Sequence, residues 1–178
     1  MSPSTLPPLG PVRVALFVRA DPATDTVERL GELVARARRL EDRDVVAEVE
    51  VKTWTTVRPA LEALSDSASS VSATVAAFQA WADRAGYSLA PAFTRCETRS
   101  LLHSGSSTEL RVPVASLAVY EGGELRWVAP CVDDDRTYTV EDCLAALEGG
   151  VITPVSDRGL SLQYHETDAL AEPSEPPQ

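Results

Sequence analysis

The chain has 178 residues, 27 acidic against 16 basic, and a formal net charge of −11. An apolar fraction of 44% and a charged fraction of 24% fit a folded single domain and exclude a collagen, a wholly disordered chain and a disulfide-dense miniprotein. No apolar run approaches the roughly 20 residues that span a bilayer, and no secretion signal opens the chain, so a cytoplasmic protein without membrane contact is expected.

Prolines crowd both ends, at Pro3, Pro7, Pro8 and Pro11 and again at Pro173, Pro176 and Pro177. Residues 1–11 therefore read as disordered and 12–150 as the folded unit. Residues 151–178 read as an extended to disordered acidic tail, too poor in large apolar groups to offset its ordering entropy. Val12 to Val18 is apolar on both faces, as a central strand covered by helices is. Pro22 and Asp25 open a helix, with Asp25 and Glu28 spaced as an approximate capping box. Its stripe is Val27, Leu30, Leu33, Val34, Ala37 and Leu40.

The next strand alternates. Val45, Ala47, Val49, Val51 and Thr53 point one way, and Glu48, Glu50 and Lys52 the other, a pattern that marks an edge. A polar linker, Ser65 to Ser70, leads to a second helix with Val71, Val75, Phe78, Trp81, Ala82 and Ala85, stopped by Gly86. Ala92 to Ser100 reads as a polar strand, returned by the turn His103 to Thr108. Leu110 to Tyr120 reads as one long central strand. Gly122-Gly123 marks a hairpin, since paired glycines accept the positive φ of tight turns. Leu125, Trp127 and Ala129 form the last strand. Thr139 with Asp142 resembles a capping box, opening a helix of Val140, Cys143, Leu144 and Leu147 that Gly149 and Gly150 end.

The order β-α-β-α-β-β-β-α, with two central strands and two edges, predicts a single α/β domain with a mixed four- to five-stranded sheet. Its second strand lies outside the first and the late hairpin lies beyond. That arrangement, with Val112-Pro113 opening a buried strand, Gly-Gly-Glu at a hairpin and a terminal helix, resembles the thioredoxin-like fold. The resemblance implies a cis Val112–Pro113 bond. A ferredoxin-like α+β sandwich is the alternative, although it wants a helix where only the polar hairpin is found. Thioredoxins carry a thiol pair after the first strand, where a helix dipole lowers a thiol pKa. Here that stretch is Ala20-Asp21-Pro22-Ala23-Thr24-Asp25, without cysteine.

A second resemblance covers most of the chain. Leu16-Phe-Val-Arg19, the block Ala76 to Phe93, Pro113 to Glu121, Trp127 to Cys131 and Thr139 to Leu147 resemble a haloarchaeal family of small acidic proteins labelled helix-turn-helix domain proteins. The label implies a DNA-binding transcriptional regulator, and no catalytic residue is carried over with it. A reading helix needs basic and amide side chains on its exposed face. The first helix is followed by a strand, and the second offers Gln79 and Arg84.

Lys52 is the only lysine, and acidic excess with so little lysine is the surface chemistry of a halophilic protein. At about 1 M salt the Debye length is near 3 Å, which screens the self-repulsion. Nucleic acid is disfavoured by the net charge, because such binding depends on cations displacing phosphate counterions. Arg36, Arg38 and Arg39, the densest basic spot, read as a solvated last helical turn. Cys96, Cys131 and Cys143 have no zinc or C-x-x-C spacing and read as reduced thiols. Cys131 and Cys143 remain a candidate redox pair, because a single turn separates them. Asp133-Asp134-Asp135 lacks calcium-loop spacing, and His103 lies in a polar turn. Trp54 falls on the charged face of an edge strand, where an exposed tryptophan would mark a partner surface or dimer seam. Hydrolase, phosphate-loop and zincin motifs do not occur. No catalytic, cofactor-binding or metal residue is assigned. The expectation is a non-catalytic halophilic α/β domain working by protein–protein contacts, as a regulator or adaptor, with a protein partner or as a homodimer. The alternatives are a DNA-binding transcriptional regulator and a thiol-redox protein using Cys131.

Overall fold

The computed structural model describes residues 10–64, 70–99, 106–134 and 136–154. Outside them fall nearly all of the expected disordered N-terminus, His103, Asp135, most of the Ser65–Ser70 linker and the tail beyond 154. The elements run β1 (Val12–Arg19), α1 (Thr24–Asp42), β2 (Glu48–Trp54), α2 (Pro59–Glu62), α3 (Val71–Ala85), β3 (Thr94–Arg99), β4 (Ser106–Arg111), β5 (Ala115–Glu121), β6 (Glu124–Ala129), β7 (Cys131–Val132), β8 (Thr137–Tyr138) and α4 (Val140–Glu148).

The main sheet is mixed and ordered β2-β1-β5-β6. β2 is parallel to β1, while β5 and β6 are antiparallel to their neighbours. The α/β class and both central strands are those the sequence predicts. Val14 pairs with Val49 and Val119, and Leu16 with Val51 and Leu117, so one face is a continuous aliphatic layer. α1 covers it with Leu30, Leu33, Ala37 and Leu40, and α4 with Cys143, Leu144 and Leu147, all buried. On the other face Phe17 meets Phe78 of α3 edge-on at 5.6 Å and stacks on Trp54 at 4.8 Å. Phe93 closes this aromatic group against both Trp54 and Phe78.

Capping follows local chemistry. Thr139 and Asp142 form the expected reciprocal box at α4, and Ser70 accepts from the Ala73 amide at the start of α3. Gly86 ends α3 in the left-handed region, and Gly122 and Gly123 both hold positive φ at the β5–β6 turn. At α1 the expected Asp25 box does not form. The N-cap is Ala23, without a side-chain bond, and Asp25 sits inside the first turn, where its charge still favours the dipole.

The expected single strand from Leu110 to Tyr120 is two strands. β4 pairs with β3 as a separate two-stranded ribbon, while β5 enters the main sheet. Proline supplies no ladder donor, and the carbonyls around Pro113 are engaged elsewhere. The Arg19 guanidinium donates to Val112 O, the Trp54 indole donates to Pro113 O at 3.1 Å, and the Arg19 amide donates to Val114 O at 2.8 Å. The segment is thus tied, extended, across the ends of β1 and β2. The cis bonds among the described residues are Ala90–Pro91 and Ala129–Pro130, so the cis bond expected at Val112–Pro113 is not found.

α1 and α4 are joined by a charged ladder. Arg29 donates to Glu141 at 2.9 Å, and Arg36 donates to both oxygens of Glu148 at 2.7 and 3.0 Å. Both partners advance by seven residues, two helical turns, so the helices keep register. The Arg36 hydrogen bond lowers the Glu148 pKa. Burial works to raise that of Glu141, but the Arg29 hydrogen bond, backbone and charge together hold it below the ordinary value. Each carboxylate is therefore charged in the native chain at lower pH than when unfolded. The stability it adds is present above its ordinary pKa and is lost as pH falls through the lowered one. In melting temperature against pH, Glu148→Gln and Glu141→Gln should each show a shallower acid loss than the parent. In the core, Phe78→Ala should reduce unfolding free energy by about 3–5 kcal/mol in urea titration at fixed salt.

Candidate functional site

The residues singled out in the sequence do not form one site. Trp54, expected on an exposed edge, is 3% exposed. It shares a strand face with Glu48, Glu50 and Lys52, but α3, Phe17 and Phe93 cover only the end of that face where Trp54 lies. Its ring belongs to the aromatic core and its indole N–H is used on Pro113, so it offers no partner surface.

Cys131 and Cys143 are both free and buried, at 1% and 0% exposure. Burial pushes the Cys131 thiol up to about 12 and the Cys143 thiol well up as well, the reverse of the shift that activates a thiol. A cleft at the carboxyl end of β1 is lined by Thr26, Leu30, Val114, Pro130, Thr139 and Glu141, among others. Neither sulfur reaches its lining. Cys96, on β3, is half-buried. A chromogenic thiol reagent at pH 8 should titrate Cys96 alone in the native protein and all three thiols in denaturant. Fast reaction of a second native thiol would show Cys131 or Cys143 to be open.

Most arginines are consumed within the chain. Besides the α1–α4 ladder, Arg38 donates to Val49 O at 2.7 Å and pairs with Glu41, and Arg126 pairs with Glu121 and Glu124. The expected solvated spot at Arg36, Arg38 and Arg39 is thus partly neutralised, Arg36 by α4. On α3, Gln79 donates to Asp83 at 2.9 Å and Arg84 to Ala80 O at 3.3 Å, so both candidate reading side chains are bonded along their own helix. The amino end of α3 is also occupied. Glu62 accepts from the Val71 amide and, at 3.0 Å, from the Ser72 amide. Burial works to raise the Glu62 pKa, but these bonds hold it low, leaving a carboxylate where a phosphate would sit.

The sequence reading missed a different constellation. Val57 and Leu110 exchange backbone hydrogen bonds at 3.1 and 2.7 Å, which brings Arg58, at the start of α2, beside the β3–β4 ribbon. Arg95 and Arg99 lie exposed on one ribbon face. Arg58, Leu61, Arg95, Ser106, Ser107 and Thr108 line an open groove between α2 and the ribbon, and no carboxylate among the described residues lines it. Among the described residues Arg58, Arg95 and Arg99 make no ion pair. Only the alternation of Arg95, Glu97 and Arg99 hinted at this in sequence, because Arg58 lies far away along the chain.

Sheet, helices and groove define an α/β protein with a solvent-facing arginine-bearing ribbon. The chain belongs to the helix-turn-helix domain family, whose model matches residues 7–151. Searches of curated proteins and of solved structures return no match. No helix among the described residues is long and apolar enough to cross a membrane.

Proposed function

We propose that this chain is a DNA-binding transcriptional regulator. Family membership across residues 7–151 carries the reading. Arg58, Arg95 and Arg99, which make no ion pair among the described residues, support it, since phosphate contacts from arginine supply the sequence-independent part of DNA affinity. The setting proposed is a cytoplasm rich in salt, in keeping with a haloarchaeal type of composition: one lysine and a net charge of −11. For the fold we favour a thioredoxin-like arrangement that lacks the thiol pair. Its support is the strand order β2-β1-β5-β6 with β2 parallel to β1, and α3 packed on the face opposite α1 and α4.

A second reading is a non-catalytic regulatory or adaptor module that works through protein contacts, with a partner or as a homodimer. It is favoured by the acidic surface and by Leu61, in the groove lining, and Leu64, just past α2, which stand 58% and 83% exposed. A thiol-redox role for Cys131 has the least support, because its thiol is buried and hard to ionise.

Selection from a random duplex library in molar KCl, followed by footprinting, tests the first reading. Enrichment of a defined sequence that the protein then protects is expected. Absence of any duplex binding between 0.2 and 2 M KCl would overturn it, and recovery of a stoichiometric protein partner in its place would establish the second.

A further inference from the structure

Resting on the DNA-binding reading, we infer that the β3–β4 ribbon with Arg58, and not a helix, is the element that meets the DNA backbone. Among the described residues Arg58, Arg95 and Arg99 make no ion pair and gather here, whereas Arg39 and Arg43, also without one, lie at the end of α1 in the field of Glu148. Ser106 and Thr108 share the ribbon face of Arg95 and Arg99, and among the described residues no carboxylate lines the groove. Guanidinium and hydroxyl donors together are the chemistry that binds phosphate oxygens. Glu97 lies between Arg95 and Arg99 on the same strand face and is exposed. Glu109 lies on the opposite face, with Arg111 at 3.8 Å. Glu62, on the neighbouring helix, is turned to the α3 amides.

The dimensions fit duplex DNA. Arg95 and Arg99 are four residues apart on one strand, about 13 Å at roughly 3.3 Å per residue. The B-DNA major groove admits a two-stranded ribbon, and guanidinium groups that far apart along the strand can each take a separate phosphate. The major groove of an RNA helix is too narrow for such a ribbon. The alternative contact, α3, offers a carboxylate at its amino end, and its exposed Gln79 and Arg84 are each already bonded along the helix, to Asp83 and to Ala80 O.

The test measures fluorescence anisotropy of a labelled random-sequence duplex with the full chain across KCl concentrations. With three phosphate contacts at about −0.9 each, log affinity against log salt should slope about −2.7, roughly a 500-fold loss per tenfold salt. Arg95→Gln with Arg99→Gln should reduce the slope to about −0.9, roughly eightfold per tenfold salt. Arg95→Lys with Arg99→Lys, which keeps the charges, should restore most of it. All these positions are exposed, and unchanged melting temperatures establish that the variants fold. If the wild type fails to bind the duplex, the DNA-binding reading itself falls. If it binds and the glutamine variant keeps both affinity and slope, only the ribbon assignment falls, and loss of binding in Gln79→Ala with Arg84→Ala would move the contact to α3. Displacement of the labelled duplex by inorganic phosphate or polyglutamate, at charge concentrations where unlabelled duplex does the same, would also overturn the assignment, in favour of a free anion or an acidic protein.

Discussion

The pairing of β1 with β5 is the constraint on which the rest of the molecule depends. Both strands are apolar on both sides, and neither can be left with a wet face. Val14, Leu16, Leu117 and Val119 demand one cover, Ala15, Phe17 and Ala118 another. One layer of helices cannot supply both, so α1 and α4 take the first face and α3 the second. With the two inner positions filled by apolar strands, the charged strand β2 and the hairpin strand β6 are left to the rims, where polar side chains reach water at little cost. The α1–α4 ion ladder is a consequence of this layering. Exposed pairs of this kind add little to stability, but they keep two neighbouring helices in register over the aliphatic face.

The junction at Val112–Val114 turns that core into a platform. In the register of β5 on β1, a strand continued straight back from β5 would carry Arg111 and Glu109 past the end of β1 at Arg19, where no strand is left to pair with. Pro113 interrupts the ladder, and Arg19 and Trp54 satisfy the carbonyls it leaves over. The polar half of the segment then pairs with β3 outside the core. Arg19 and Trp54 are residues a surface-minded reading would offer to a ligand or partner. Both instead hold the point from which the ribbon departs.

Much of this was legible in sequence wherever the signal was local. The two-faced apolar strand at Val12–Val18, the stripe of α1, the Gly86 stop, the Gly122–Gly123 hairpin and the Thr139–Asp142 box each lie within a few residues of their cause. What could not be read depends on where another element stops. Trp54 has the parity of Lys52 and Glu50, and alternation assumes that a strand face is uniformly wet or dry. α3 covers only one end of that face, so one parity holds both a buried indole and exposed carboxylates. Likewise Leu110 and Leu117 look alike in sequence. Leu110 is buried through its bridge to Val57, and Leu117 through the main sheet, a distinction made by partners more than fifty residues away. The arginine groove escaped notice for the same reason.

Net charge is a poor guide to what such a chain can bind, for a reason rooted in screening. At low salt a total of −11 would repel a polyanion from any direction, and the sum over all residues would decide the outcome. Near 1 M salt the Debye length is about 3 Å, so a phosphate at the ribbon scarcely registers carboxylates on the far helices. Only groups within contact distance count, and there the balance is set by Arg58, Arg95 and Arg99 against Glu97. The same screening weakens the gain from counterion release, so the DNA contact proposed above would draw in such a medium on shape and hydrogen bonding more than on accumulated charge. A two-stranded ribbon carrying planar guanidinium forks suits that demand better than a flexible lysine-rich arm. A single lysine among sixteen basic residues is consistent with such a medium, since the guanidinium group keeps directed hydrogen bonds where a screened point charge has little left to offer.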